Sequence, residues 1–123
     1  MTQEADLLLK QGISQYQKND FEAALRSWHE ALNLYRASLN LRRQGAALGN
    51  LGAAYQVMSD LSQAIACFKE HLAISEEIQD PQGEINALTN LGNAYQALGE
   101  YTKAIYYLRH RLAIAQTLAD RQS

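Results

Sequence analysis

The chain has 123 residues, 47% hydrophobic and 20% charged, with one cysteine and one proline, and is expected to fold as one soluble, well-packed domain. The lone Cys67 excludes an intramolecular disulfide framework and a multi-cysteine metal knuckle; no apolar run is long enough to span a membrane, and no signal-peptide pattern opens the chain. A formal charge of −2, from 11 basic and 13 acidic residues, gives no footprint for a nucleic-acid backbone or an anionic membrane, so the expected partners are proteins, in the cytoplasm.

The first predicted helix covers residues 3–18 and ends at Lys18-Asn19-Asp20, where Asp20 can cap the next one. The second, 21–39, carries Phe21, Ala24, Leu25, Trp28, Leu32 and Leu34; only Asn40 and Gly45 stand as breakers after it, which leaves it room to run past Asn40. The third, 43–58, places Leu48, Leu51, Ala54, Tyr55 and Met58 at helical spacing before a break at Met58-Ser59-Asp60. The fourth, 61–79, carries Leu61, Ala64, Ile65, Phe68, Leu72, Ile74 and Ile78 and meets a firm stop at Asp80-Pro81. The fifth, 82–98, closes at Leu98-Gly99-Glu100, with Gly99 suited to the left-handed closing position, and the sixth covers 101–119. Short breaks predict antiparallel neighbours, so the expected fold is all-α, three antiparallel helix pairs.

A shift of 40 residues lays Gly45–Asp80 on Ile85–Asp120 with 14 of 36 positions identical, among them Leu51/Leu91, Gly52/Gly92, Tyr55/Tyr95, Ala64/Ala104 and Ile74/Ile114. A fainter first copy follows the same register through Leu8, Gly12, Asp20, Ala24, Trp28 and Leu32. Three units of one domain, about 5–44, 45–84 and 85–123, predict a solenoid, because no unit can bury its apolar face alone. Gly12, Gly52 and Gly92 each cost about 1 kcal/mol of helix propensity, a cost offset by close approach of the adjoining helix. Trp28, Phe68 and Leu108 are expected to fill the space between units, and Tyr101, which repeats Phe21 and Leu61, is expected in the core.

Leu51-Gly52, Tyr55, Ala64 and Phe68, and again Leu91-Gly92, Tyr95 and Ala104, resemble the tetratricopeptide repeat, whose pattern is tryptophan or leucine, leucine-glycine, tyrosine, alanine, an aromatic and alanine. A period of 40, against the family's roughly 34 residues, resembles the long-helix subclass found in kinesin light chain and the Pins polarity scaffolds. The first unit departs from the pattern with Gln11 and Gln15, although Tyr16 stands beside the latter; the last small position is kept as Ala31 but is His71 and Arg111 in the other units. The resemblance implies an α-solenoid wound as a right-handed superhelix. It also implies a non-enzymatic interaction module whose first helices line a concave groove for an extended peptide or a helix.

On those helices Lys10, Ile13 and Gln17, then Asn50, Ala53 and Val57, then Asn86, Asn90, Asn93 and Ala97 face away from the packing leucines. A carboxamide both donates and accepts, so a row of asparagines can hold a ligand's backbone without selecting its charge. The resemblance implies that role for Asn50, Asn90 and Asn93. The lysine-bearing clamp of the chaperone-binding subclass is absent, its positions reading Asp6, Leu9, Ala46 and Asn86, which argues against a partner tail ending in acidic residues.

No catalytic or cofactor chemistry is expected. No two of His29, His71 and His110 stand at metal-pair spacing, Glu30 and Glu70 point away from their neighbouring histidines, and the glycines form no phosphate-binding motif. No metal, cofactor or small-molecule substrate is therefore expected, and Cys67 reads as a small hydrophobe. Arg42-Arg43 and Arg109-His110-Arg111 read as solvated faces. Tyr106 and Tyr107, which replace Ala66 and Cys67, form with Arg111 a candidate self-association face, so self-assembly through the exposed terminal helix into a homodimer or longer array is an alternative to groove binding. Asp120-Arg121-Gln122-Ser123 repeats the Asp80-Pro81-Gln82-Gly83 junction, which predicts either a segment of a longer array or a short array that covers its last face by pairing.

Overall fold

The structure, a computed structural model, describes residues 2–122. Ser123, the last residue of the expected junction, lies outside the described residues, as does Met1. Six helices follow one another: α1 Thr2–Gln17, α2 Phe21–Ala37, α3 Leu41–Val57, α4 Leu61–Glu77, α5 Pro81–Ala97 and α6 Tyr101–Gln122. They form three antiparallel helix-turn-helix units stacked as a solenoid, in which each helix packs on its chain neighbours and α3 and α5 also touch across the intervening helix.

All five joints are built the same way. The second of three connecting residues takes a left-handed φ: Asn19 at 64°, Leu39 at 57°, Ser59 at 64°, Gln79 at 55° and Gly99 at 78°. The third then donates its N–H to the carbonyl five residues back, as Asp60 does to Tyr55 at 2.8 Å and Asp80 to Ser75 at 2.9 Å, closing the preceding helix in a Schellman turn. At four joints that same residue caps the following helix: a side-chain oxygen of Asp20, Asn40, Asp60 and Asp80 accepts from the N–H of Ala23, Arg43, Gln63 and Gly83.

Asn40 therefore ends what the weak breakers left open: α2 stops at Ala37 instead of running past Asn40, because Leu39 turns left-handed and the Asn40 carboxamide takes up the Arg43 N–H at 3.1 Å. A non-glycine residue in that conformation costs about 1–2 kcal/mol, and the Leu39 side chain, 83% exposed, offsets little of it by burial. Leu39→Gly is expected to raise stability by about 1 kcal/mol, read as a higher urea midpoint with unchanged slope.

The opposite departure occurs at the end of α6, which continues through Asp120 where the repeat predicts a stop. Pro81 cannot extend α4, since its ring has no N–H and clashes with the preceding turn, whereas Arg121 at the corresponding place in the third unit imposes no such break.

The glycines let paired helices close up. A Cβ on Gly12 would lie 2.2 Å from Trp28 Nε1, one on Gly52 2.3 Å from Phe68 Cε1, and one on Gly92 2.6 Å from Leu108 Cδ2. The large residues expected between units each plug a notch in their own helix pair, and Trp28 and Phe68 also join core clusters shared with the following unit. Trp28 is held further by its indole N–H, which donates to the Leu9 carbonyl at 3.0 Å. Gln15, one of the first unit's departures, accepts from Ser27 Oγ at 2.7 Å, while Tyr16 supplies the aromatic packing against Phe21 and Trp28. Beneath them, Tyr35 is buried and donates to Asp6, and burial together with that carboxylate pushes its phenol up to about 12.

Tyr101 is a correction: it is exposed, not core. Among the described residues no helix follows α6, so the face that α4 buries against α5 is open on α6. Ile65 is 9% exposed while its repeat partner Ile105 is 51% exposed, and Leu112 is likewise open where Leu32 is buried.

Candidate functional site: the concave groove

The packing face of α3 is fixed by Ala47, Leu48, Leu51 and Ala54, and that of α5 by Ala87, Leu88, Leu91 and Ala94, all buried. Residues three and four apart on the remaining face then line up along each helix. The result is a groove of about 640 Å³ between α3, which contributes Ala46, Gly49, Asn50 and Ala53, and α5, which contributes Gln82, Ile85, Asn86, Thr89 and Asn90. His71 of α4 and Arg111 of α6 complete its lining from the second helices.

Of the candidate ligand contacts, the structure brings together Asn50, Ala53, Asn86 and Asn90 in this groove. Asn93 and Val57 are exposed further along α5 and α3, outside its lining; Lys10 and Gln17 are exposed on α1, apart from it. Asn86 is engaged with Gln82, whose Nε2 donates to Asn86 Oδ1 at 3.1 Å. Among the described residues the Asn50 and Asn90 carboxamides make no side-chain hydrogen bond, which leaves both donor and acceptor of each for a ligand.

Sequence reasoning missed His71 and Arg111 as groove residues. The signal was the column Ala31, His71, Arg111, where a small residue of the repeat pattern gives way twice to a long polar one. The imidazole rests on α3 where Gly45 and Gly49 leave room: a Cβ on either would stand 3.0 and 3.4 Å from the ring. Its Nδ1 is buried without a hydrogen-bond partner, and burial holds its pKa below the ordinary histidine value despite the opposing pull of Asp80. Arg111 Nε is buried and unpartnered as well.

Arg111 thus lines the groove, while the tyrosines grouped with it in sequence make contacts of their own. Tyr107 stacks on Tyr95, with centroids 5.5 Å apart and planes 3° from parallel, and Tyr106 stands edge-on to Tyr107 with its own ring exposed. Cys67 is buried, and burial pushes its thiol up to about 11, so it carries no thiolate chemistry at neutral pH. Among the described residues no His, Cys, Asp and Glu cluster could hold a metal ion, and no helix is long and apolar enough to cross a membrane.

A family model described as tetratricopeptide repeat matches residues 43–117, more than half the chain, and a second model of the same description matches residues 6–38. The chain belongs to the tetratricopeptide repeat family. Among solved structures, this tetratricopeptide repeat domain is similar to the TPR domain of Arabidopsis FLU at 26% identity, with a TM-score of 0.87 over 94% of this chain and 97% of that one. It has the fold of BtubC (BKLC) from P. vanneervenii, at 24% identity and a TM-score of 0.88 over 94% of this chain, and spans about half, 48%, of that protein. It also has the fold of the N-terminal domain of stress-induced protein-1 from C. elegans, at 18% identity and a TM-score of 0.81 over 100% of this chain and 98% of that one. No curated protein sequence matches the chain. As a tetratricopeptide repeat domain it is a non-enzymatic protein-interaction module.

Proposed function

We propose that this domain holds an extended segment of a partner protein along the groove between α3 and α5, and that it belongs to the long-helix subclass of the family. Its 40-residue period and mostly 17-residue helices support the subclass. The observation that carries the binding mode is the pair of unengaged carboxamides, Asn50 and Asn90, on facing walls of one open groove. Each can accept an N–H and donate to a C=O of a ligand backbone, with Asn86 one turn from Asn90 on α5 and Ala53 leaving space. In this reading Lys10, Gln17, Val57 and Asn93 meet parts of the segment beyond the groove's centre.

The test uses peptides selected against the wild-type domain from a random display library. With two carboxamides and hydrogen bonds worth about 1 kcal/mol each, the Asn50→Ala, Asn90→Ala double variant is expected to weaken binding by about 10- to 100-fold in fluorescence anisotropy. Equal affinity for the double variant would sink the groove reading.

A second reading rests on a separate observation, the open apolar face of α6 formed by Tyr101, Ile105, Tyr106 and Leu112. We propose that two copies cover it with each other, α6 against α6, in a two-fold contact. Light scattering over a concentration series is expected to show a dimer that Ile105→Glu with Tyr106→Glu converts to monomer. A wild-type monomer throughout the series would dismiss this reading and leave the groove untouched.

A further inference from the structure

We infer that two copies of this chain meet with their α6 helices antiparallel and Ile105 at the two-fold axis, so that Glu100 and Tyr101 of each copy meet Arg109 of the other. The inference rests on the α6 self-association reading and names the register and the residues that select it. Tyr101, Ile105, Arg109 and Leu112 fall within an arc of roughly 80° on α6, and all four are exposed. An open cavity of about 620 Å³ is lined by Ile105 and Arg109 together with Thr102, Tyr106 and His110, which gives an incoming ring a place to enter.

The repeat column to which Arg109 belongs shows what its position does. In the first unit the counterpart is His29, whose Nε2 lies 2.9 Å from the Tyr55 hydroxyl; in the second it is Lys69, whose Nζ stands 5.8 Å from the centroid of the Tyr95 ring. Each thus reaches a tyrosine on the helix that covers its face. Among the described residues no helix covers α6, and Arg109 makes no ion pair and no ring contact. In the antiparallel pair the tyrosine comes from the second copy.

Charge decides how two such faces meet. Between Tyr101 and Ala119, α6 carries Lys103, Arg109 and Arg111 and no carboxylate, while Glu100 stands just before its first turn. A parallel pair sets each Arg109 beside the other, and an antiparallel pair centred on Leu108 leaves the two about 3 Å apart along the helices. Centring on Ile105 separates them by about 12 Å along the helices, beyond the screening length of about 8 Å at physiological salt. It also brings each Arg109 level with Tyr101 of the other copy and one residue from its Glu100. The guanidinium then lies on the tyrosine ring and donates to the carboxylate. Glu100 already pairs with Lys103 of its own chain at 3.3 Å, but both side chains are about half exposed, so the carboxylate has room for a second cation. Ile105 and Leu112 supply the apolar contact, and the charges fix the register.

The residues of α1 argue against a head-to-tail stack, α6 on α1 of the next copy. Where α3 buries Ala47 and Leu51, and α5 buries Ala87 and Leu91, α1 carries Leu7 and Gln11, both exposed. A bulky chain replaces the small residue and a carboxamide replaces the leucine, so the pairing closes at two copies instead of running on.

The experiment is charge reversal read by light scattering over a concentration series. Arg109→Glu alone opposes two acids at both contacts of the two-fold, and Glu100→Arg alone opposes two cations; each is expected to weaken the dimer by about 10- to 100-fold. An equimolar mixture of the two variants is the discriminating sample. In a mixed pair one contact keeps its native partners and the other has its signs exchanged, so the mixture is expected to dimerise about as well as the wild type, and a tag on one variant should retain the other. An antiparallel contact that joins residue 100 to residue 109 predicts this rescue, and a parallel or differently centred one does not. If the wild type dimerises and Ile105→Glu with Tyr106→Glu abolishes the dimer, yet the single reversals leave its affinity unchanged or the mixture fails to recover it, the register is overturned and α6 self-association stands. A dimer indifferent to Ile105→Glu with Tyr106→Glu, or a wild type that stays monomeric, overturns both. Wild-type species that grow beyond a dimer with concentration overturn the closed pairing. Melting by circular dichroism establishes that each variant compared is folded.

Discussion

Truncating Phe68 to alanine is expected to cost about 3–5 kcal/mol of stability, the range for a buried aromatic whose surroundings cannot collapse. The ring is wholly buried. On one side it fills the notch over Gly52, and it belongs to the cluster that joins Ala64 and Ile65 of α4 to Leu91, Ala94 and Tyr95 of α5 and Ala104 of α6. Loss of the ring therefore opens a cavity where the second and third helix pairs are joined, not at a frayed end. A domain of this kind has about 5–15 kcal/mol in total, so the variant should sit near its folding limit. Urea unfolding followed by circular dichroism measures the effect; a loss below about 1 kcal/mol would mean that the neighbouring helices close over the space.

The second large effect comes from adding atoms. Gly52→Ala places a methyl 2.3 Å from the Phe68 ring, and Gly12→Ala places one 2.2 Å from an indole fixed by its bond to Leu9. Neither ring has room to step aside, so overpacking of about 3 kcal/mol is set against about 1 kcal/mol gained in helix propensity, a net loss of about 2 kcal/mol. Gly92→Ala meets Leu108, a branched aliphatic chain that is only partly buried and can change rotamer, and its net cost should fall within about 1 kcal/mol of zero. The three substitutions are the same in sequence and differ only in what faces them. Equal costs would refute this account. The two predictions are also coupled: in a Phe68→Ala background Gly52→Ala should stop being harmful and help the helix, a non-additivity that a double-mutant cycle reads directly.

The helix pairs are legible in the residues because the apolar spacing is carried by side chains that all end in one core, and a 40-residue repetition of Leu51-Gly52 and Ala64 reinforces each local reading with another. Joints marked by aspartate are legible for the same reason that they form, since the carboxylate prefers a cap to a helix interior. Asn40 was harder, because the joint depends on Leu39, a residue with no preference of its own for a left-handed turn, being held there by hydrogen bonds on both sides. Tyr101 was misplaced because equivalence by repeat presumes a following helix. In the groove, Asn50, Asn86 and Asn90 could be read from the face they occupy on single helices. His71 and Arg111 could not, since they come from the other layer and reach the groove only through the way the pairs stack.

The five matching joints have a further consequence. With three connecting residues at each, and the same residue fastening two helices at four of them, the stack contains, among the described residues, no long linker that would act as a hinge. With the groove walls spaced by such joints, the proposed binding would lose entropy chiefly from the incoming segment. On the proposed groove reading such a receptor works as a ruler: it would favour partners already extended at its own pitch, and stiffening the segment with proline outside the contacted positions would tighten the complex without adding a single contact.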